Sequence, residues 1–250
     1  MYRLLALLLI LVAAPAAAQD LDVPYVPTPT AVVERMMALG AVGPETYLID
    51  LGSGDGRIAL AAARRGARAL GVDLDPMRVA EAQASARLEG LEGRARFRRQ
   101  DLFDTPLRES HVVTLYLLPN VNLRLRPRLL TELRPGTRVL SHNFDMGDWR
   151  PDAQEEIGAS RLFLWVVPAV VGGAWTMTLA DGTMLPLEIE QVFQQGSGTL
   201  GGATLTDVSL SGTAFRFTAG GRSFHGIVGD AAITPDPASA EQGWVARRAE

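Results

Sequence analysis

The sequence predicts an α/β domain, a mainly parallel sheet with helices on both faces, followed by a small all-β antiparallel C-terminal domain. The apolar run Tyr47-Leu48-Ile49 leads into Asp50-Leu51-Gly52-Ser53-Gly54-Asp55-Gly56-Arg57 and leaves through Ile58-Ala59-Leu60-Ala61-Ala62-Ala63, which is a strand, a glycine turn and a helix. Leu70-Gly71-Val72-Asp73 supplies a second strand that ends in an acid about twenty residues after the turn, the place where nucleotide-binding sheets hold ribose hydroxyls. From about Gly182 the chain changes to short β-type runs separated by glycine turns.

The acids around the turn select the ligand. Gly52, Gly54 and Gly56 allow positive φ and leave no Cβ between the backbone and a ligand. Their spacing is G-x-G-x-G, whereas dinucleotide folds run G-x-G-x-x-G and seat a pyrophosphate on the helix N-terminus. Here a phosphate would meet Asp50 and Asp55, so a cationic ligand is favoured. S-adenosylmethionine fits: an ammonium and a sulfonium for the acids, a ribose for Asp73, and no phosphate.

The chain resembles the seven-strand, Rossmann-like class I S-adenosylmethionine-dependent methyltransferases. The Asp50–Arg57 stretch resembles their first motif, Gly71-Val72-Asp73-Leu74-Asp75-Pro76 their second, and Gln100-Asp101-Leu102-Phe103 their adenine-contacting acidic loop. Over roughly Pro24 to Pro168 it is similar to the protein-lysine methyltransferases with archaeal and mitochondrial members, which open on a segment like Pro24-Tyr25-Val26-Pro27-Thr28-Pro29. The resemblance implies a lid in which Tyr25 and Thr28 approach the cofactor. It also implies cofactor contacts from Asp50, Gly52, Ser53, Gly54, Gly56, Asp73 and Asp101, and a lysine side chain as methyl acceptor.

In chain order, Val32, Val33, Met36 and Leu39 follow helical spacing over 31–39, and Gly40 to Pro44 stops that helix. The helix after the turn runs to about Arg65. Asp75-Pro76 is an N-cap followed by proline at the first helical position, opening a helix to about Glu89. Ala95–Arg98 is a third strand. Val112–Leu118 is a continuous apolar run of buried parallel-strand type that ends at Pro119-Asn120-Val121-Asn122. Ligands of open α/β sheets bind beyond the carboxyl ends of the strands, which makes Tyr116 and Asn120 candidates at the acceptor. Related nitrogen methyltransferases carry Asn/Asp-Pro-Pro-aromatic there, and this chain departs from it. Leu123–Leu133 is an amphipathic helix with Arg124, Arg126 and Arg128 on a solvated face. Thr137–Phe144 is the fifth strand, placing His142 on the same edge as a candidate for proton handling. Met146–Pro151 is a turn-rich segment beside that edge, and Arg161–Pro168 with Ala174–Leu179 would form the final antiparallel pair.

The 250 residues suffice for a domain of about 150 residues and a smaller one. The expected division is a signal segment at 1–18, lid and helix at 19–45, methyltransferase domain at 46–180, and β domain at 181–250. A net charge of −4 gives no reason to propose nucleic acid as a partner, and no metal-ligand spacing occurs. All 24 basic residues are arginine. Arg3, the apolar Leu4–Val12 and Ala16-Ala17-Ala18 have the layout of a secretory signal peptide, implying export; uncleaved, the same segment would anchor the chain in a membrane. Three readings stand: a methyltransferase for protein lysine, one for a small molecule, and an exported binding protein without turnover. A nicotinamide-dependent enzyme is the remote rival.

Overall fold

The computed structural model describes residues 26–249; Met1–Ala18 and Tyr25 lie outside the described residues. The first half is built from α1 (Thr30–Leu39), β1 (Tyr47–Leu51), α2 (Arg57–Arg64), β2 (Arg68–Asp73), α3 (Pro76–Leu88), β3 (Ala95–Arg99), a single 3-10 turn (Leu102–Asp104), β4 (Val112–Leu115), α4 (Pro119–Glu132), β5 (Arg138–His142), β6 (Ala153–Ile157) and β7 (Ser160–Val166). Its seven strands lie in the order β3-β2-β1-β4-β5-β7-β6. β1 to β5 are mutually parallel, and the β6–β7 hairpin closes the sheet by setting β7 antiparallel beside β5.

The two faces carry separate cores. α1, α2 and α3 cover one through Val33, Met36, the alanine run Ala59–Ala63 and Ala82, whose small side chains let the helices approach the sheet closely. α4 covers the other with Val121, Leu125 and Leu129, over a floor of Leu115, Val139, Trp149 and Trp165. Asp75 caps α3 as its sequence suggests, its carboxylate accepting from the Met77 amide at 2.8 Å.

Three elements differ from expectation. The partner of β7 is β6, not Ala174–Leu179. β6 reads Ala-Gln-Glu-Glu-Ile and lies on the sheet edge, so most of its side chains meet water and its apolar signal is weak. α4 begins four residues early, because Pro119 occupies the first helical position, where its missing N–H costs nothing. Arg126 and Arg128 are tethers rather than solvated: Arg126 donates to the Met146 carbonyl and Arg128 to the carbonyls of Phe103 and Thr105, while Arg124 is exposed as expected, its guanidinium over the Phe103 ring.

The second half is a nine-stranded antiparallel sheet of β8 (Gly173–Thr178), β9 (Met184–Val192), β10 (Gln195–Leu200), β11 (Ala203–Thr204), β12 (Thr206–Ser211), β13 (Ala214–Ala219), β14 (Arg222–Val228), β15 (Ala232–Pro235) and β16 (Val245–Arg248). The order is β11-β10-β9-β8-β16-β15-β14-β13-β12. Trp175, Met177, Leu187, Phe215, Phe217, Phe224 and Trp244 fill its interior. Ala174–Leu179 belongs here because Trp175 and Met177 alternate onto that interior.

The connection from β7 to β8 is held by Arg248, which donates to the carbonyls of Val170 and Gly172, by Trp175, which donates to that of Val171, and above all by Gln191. Gln191 accepts from the amides of Val171 and Gly172 through Oε1 and donates through Nε2 to the carbonyls of Ala169 and Phe193.

Candidate functional site

α2 leaves β1 on one face of the sheet and α4 leaves β4 on the other, so a crevice opens between the carboxyl ends of these neighbouring strands. It holds a cavity of about 190 Å³ whose wall includes Thr28, Asp50, Ser53, Asp73, Tyr116 and Phe144.

The glycine turn forms the floor. Gly52 has φ 78°, and a Cβ there would stand 2.8 Å from Leu117 Cδ2; Gly56 has φ 83° and would drive a Cβ to 2.6 Å from the Phe97 ring. Both positions therefore need glycine for handedness and for space. The Gly52 and Ser53 amides donate to the Val72 carbonyl, fastening the turn to β2.

Asp50 is 2% exposed. Its Oδ1 accepts from the Thr114 hydroxyl at 2.7 Å, while Oδ2 is buried without a partner among the described residues. Burial pushes its carboxyl up to about 7; the Thr114 hydrogen bond opposes this, and the nearby Asp73 and Asp55 carboxylates add to it. Asp73 spans the turn, Oδ2 accepting from the Gly54 amide at 2.8 Å and Oδ1 from the Asp75 amide at 2.9 Å. The hydroxyl of Ser53 is also buried and has no partner among the described residues.

Above the turn, Val26, Pro27 and Thr28 close one side of the cavity. Arg57 holds them: its guanidinium pairs with the Asp55 carboxylate at 2.6 Å and donates to the Thr28 carbonyl at 2.9 Å. Thr28 is 3% exposed and its hydroxyl lies 3.2 Å from His142 Nδ1.

His142 is buried, its Nε2 has no partner among the described residues, and burial lowers its pKa to about 4. The imidazole is therefore neutral at pH 7. The Tyr116 ring lies 3.9 Å from it and 6.2 Å from the Phe144 ring, centroid to centroid. Asn143, at φ 64°, places its amide 3.4 Å from the Tyr116 hydroxyl.

Of the residues singled out from sequence, Thr28, Asp50, Gly52, Ser53, Gly54, Asp73 and Tyr116 line the cavity, and His142 stands directly behind Tyr116. Gly56 lies one turn below as the left-handed residue preceding α2. Asp101 caps the 3-10 turn, accepting from the Phe103 amide, while its neighbours Gln100 and Leu102 line the wall. Asn120 is exposed in the first turn of α4 and is not part of the wall; Asn122 is the buried one, its Nδ2 meeting Ser141 Oγ and the carbonyls of Phe144 and Asp145 at 3.2–3.3 Å. Arg57, Asn122 and Phe144 carry structural tasks at the site that the sequence did not announce. The spacing Asn122, Leu125, Leu129 on one helical face was the available signal for Asn122.

Residues 50–153 match the ANTKMT methyltransferase domain. A protein-lysine N-methyltransferase of Saccharolobus islandicus is 44% identical over 131 residues, 52% of this chain and 81% of that relative. The chain belongs to the class I S-adenosylmethionine-dependent methyltransferases. An adenine nucleotide translocase lysine N-methyltransferase of Mus musculus is 38% identical over 148 residues, and this methyltransferase spans 64% of its length. Among solved structures, an RNA methyltransferase from Salinibacter ruber in complex with S-adenosyl-L-homocysteine is 46% identical with a TM-score of 0.57, over 58% of this chain and 96% of that one. The cofactor of this methyltransferase is S-adenosylmethionine.

Proposed function

We propose that this methyltransferase transfers the methyl group to the ε-amine of a lysine in a protein acceptor. The observation that carries the reading is the acceptor wall: Tyr116, Leu117, Leu118 and Phe144, backed by a neutral His142, present an apolar and aromatic surface beside the acidic glycine turn. The lysine relatives, at 44% and 38% identity, support the acceptor class.

When bound, S-adenosylmethionine supplies a methyl group on a sulfonium, already activated toward in-line displacement. The chain's own residues then have four tasks. Asp50 Oδ2, buried and unpartnered among the described residues, receives the ammonium. Asp73, held rigid by two backbone amides, receives the ribose hydroxyls, while Gln100 and Leu102 border the adenine. Thr28, latched by Arg57 and His142, covers the site and excludes water. Tyr116 and Phe144 orient the amine and desolvate it, which lowers a lysine pKa from its usual value of about 10.4 and frees the lone pair. The lysine's proton passes to bulk water before the amine is enclosed, so no dedicated base is required, and holding nucleophile and methyl at attack distance supplies about 7–11 kcal/mol of such a barrier. Asn120 has no task in this scheme.

The test is transfer of labelled methyl from S-adenosylmethionine into a cell lysate by the purified enzyme, followed by hydrolysis and amino-acid analysis. Label in methyl-lysine of protein is expected; label confined to RNA or to small molecules would refute the reading. The enzyme contains no lysine, so it adds no background of its own. We further infer that Met1–Ala18 directs export; the protein recovered from a cell envelope fraction should begin at Gln19, and recovery from the cytosol with Met1 intact would refute this.

A further inference from the structure

We infer that Phe193, a residue of the C-terminal sheet, is a positioning residue for the acceptor edge of the methyltransferase site. The inference rests on the proposal that the acceptor enters beside Tyr116 and Phe144.

Phe193 and Gln194 form the two-residue turn between β9 and β10, where Val192 pairs with Gln195. Phe193 has φ 55°. Tight hairpin turns with positive φ are ordinarily filled by glycine or asparagine, and a bulky residue there is strained. Such strain persists where surrounding contacts over-determine it, and it concentrates at functional places. Here Gln191 holds the Phe193 carbonyl from within the β domain, and the contacts to the ring come from the other domain. The Phe193 ring stacks on Trp149 with centroids 6.1 Å apart and planes 23° apart, and Arg126 stands 5.4 Å over the ring. The side chain of Gln194 donates to the Arg150 carbonyl. Both residues of the turn thus grip the segment Met146–Arg150 that follows β5, and Arg126 adds a hydrogen bond to the Met146 carbonyl.

The same segment begins at the cavity. Phe144 is in its wall, and Asn122 holds the carbonyls of Phe144 and Asp145 from inside. The acceptor loop is therefore clamped at its inner end by α4 and at its outer end by the β domain. The match over 58% of this chain accounts for 96% of the solved Salinibacter ruber chain, so that solved chain has no nine-stranded counterpart to supply such a clamp.

The test compares wild type with Phe193→Gly, which removes the ring while relieving the strained φ, and Phe193→Trp, which retains an aromatic ring. Hydrogen exchange of the amides over 143–150 reads the loop without reference to any acceptor. Exchange there should quicken at least tenfold in Phe193→Gly, with the glycine turn and S-adenosylhomocysteine affinity within twofold of wild type. With an identified acceptor, its KM should rise at least fivefold while kcat changes less, and Phe193→Trp should restore both readouts. Unchanged exchange over 143–150 in Phe193→Gly, or an increase spread equally across the whole chain, overturns the inference. Failure of wild type to methylate protein lysine would sink the acceptor proposal alone, because the exchange comparison stands without it.

Discussion

Asp50 yields the sharpest quantitative expectation. In the ligand-free protein its carboxyl is raised to about 7, chiefly by burial, so at pH 6 it is about 90% protonated. A bound ammonium stabilises the ionised form, so binding must expel that proton. At pH 6 the ligand's own α-amine, the ammonium of a free amino acid, is already protonated and takes up nothing. Calorimetric titration of S-adenosylhomocysteine in buffers of different ionisation enthalpy should therefore report release of about 0.9 proton at pH 6. Affinity should fall about tenfold for each unit below pH 6.5, or about 1.4 kcal/mol per unit. Asp50→Asn should abolish both effects and weaken binding by about 2–3 kcal/mol, thirtyfold or more, since a charged hydrogen bond is lost. The folding side has the opposite sign. A carboxyl raised in the folded state favours folding below its unfolded pKa near 3.8 and loses that contribution as pH rises to 7. Ligand-free Asp50→Asn should therefore be more stable than wild type at pH 8, by up to about 3 kcal/mol. A binding defect in a stabilised protein excludes misfolding as its cause. Proton release near zero at pH 6, or an Asp50→Asn variant with wild-type affinity and slope, would refute the assignment of Asp50 to the ammonium.

His142 makes the reverse contribution: its pKa is lowered to about 4, so stability present above pH 6.5 is lost as pH falls toward 4, by about 2–3 kcal/mol. Urea unfolding of His142→Asn across that range should show a flatter acid limb, and an unchanged limb would contradict the burial. Gly56→Ala and Gly90→Ala both force a side chain into positive φ, at about 1 kcal/mol, but Gly56 also meets Phe97 at 2.6 Å whereas Gly90 meets nothing within 4 Å. Thermal unfolding should show Gly56→Ala costing about 2–4 kcal/mol and Gly90→Ala about 1; equal costs would show that packing against Phe97 is slack. Arg57→Ala severs the tie to the Thr28 carbonyl, so S-adenosylhomocysteine should dissociate about three- to tenfold faster by stopped flow. An unchanged off-rate would mean that Thr28 is held without Arg57.

The legible parts of the chain were those where one local rule governs. The glycine turn, the acid ending β2 and the Asp75-Pro76 cap depend on neighbours in sequence, and each lies where its pattern places it. The strands at 185–190, 214–217 and 223–227 were legible from alternation against a single apolar interior. β10, by contrast, reads Gln-Gly-Ser-Gly-Thr-Leu and has almost no apolar face to show. β6 was hidden by its edge position, and β8 went to the wrong sheet because alternation says which residues are buried, not against what. At the site, long-range pairs were the unreadable part: Thr28 with His142 is a contact across 114 residues, and Arg57 with Thr28 one across 29. Asn122 rather than Asn120 faces inward because α4 already starts at Pro119, four residues before its apolar periodicity becomes visible in the sequence.

Gln191 has a consequence for how the two sheets move. One amide saturates four backbone groups of the short connector and its neighbouring hairpin, so bending that connector would strand two donors and two acceptors at once. The joint behaves as a weld rather than a hinge. The two sheets should therefore tumble as one block, which a single alignment tensor in residual dipolar couplings would show and two independent tensors would contradict.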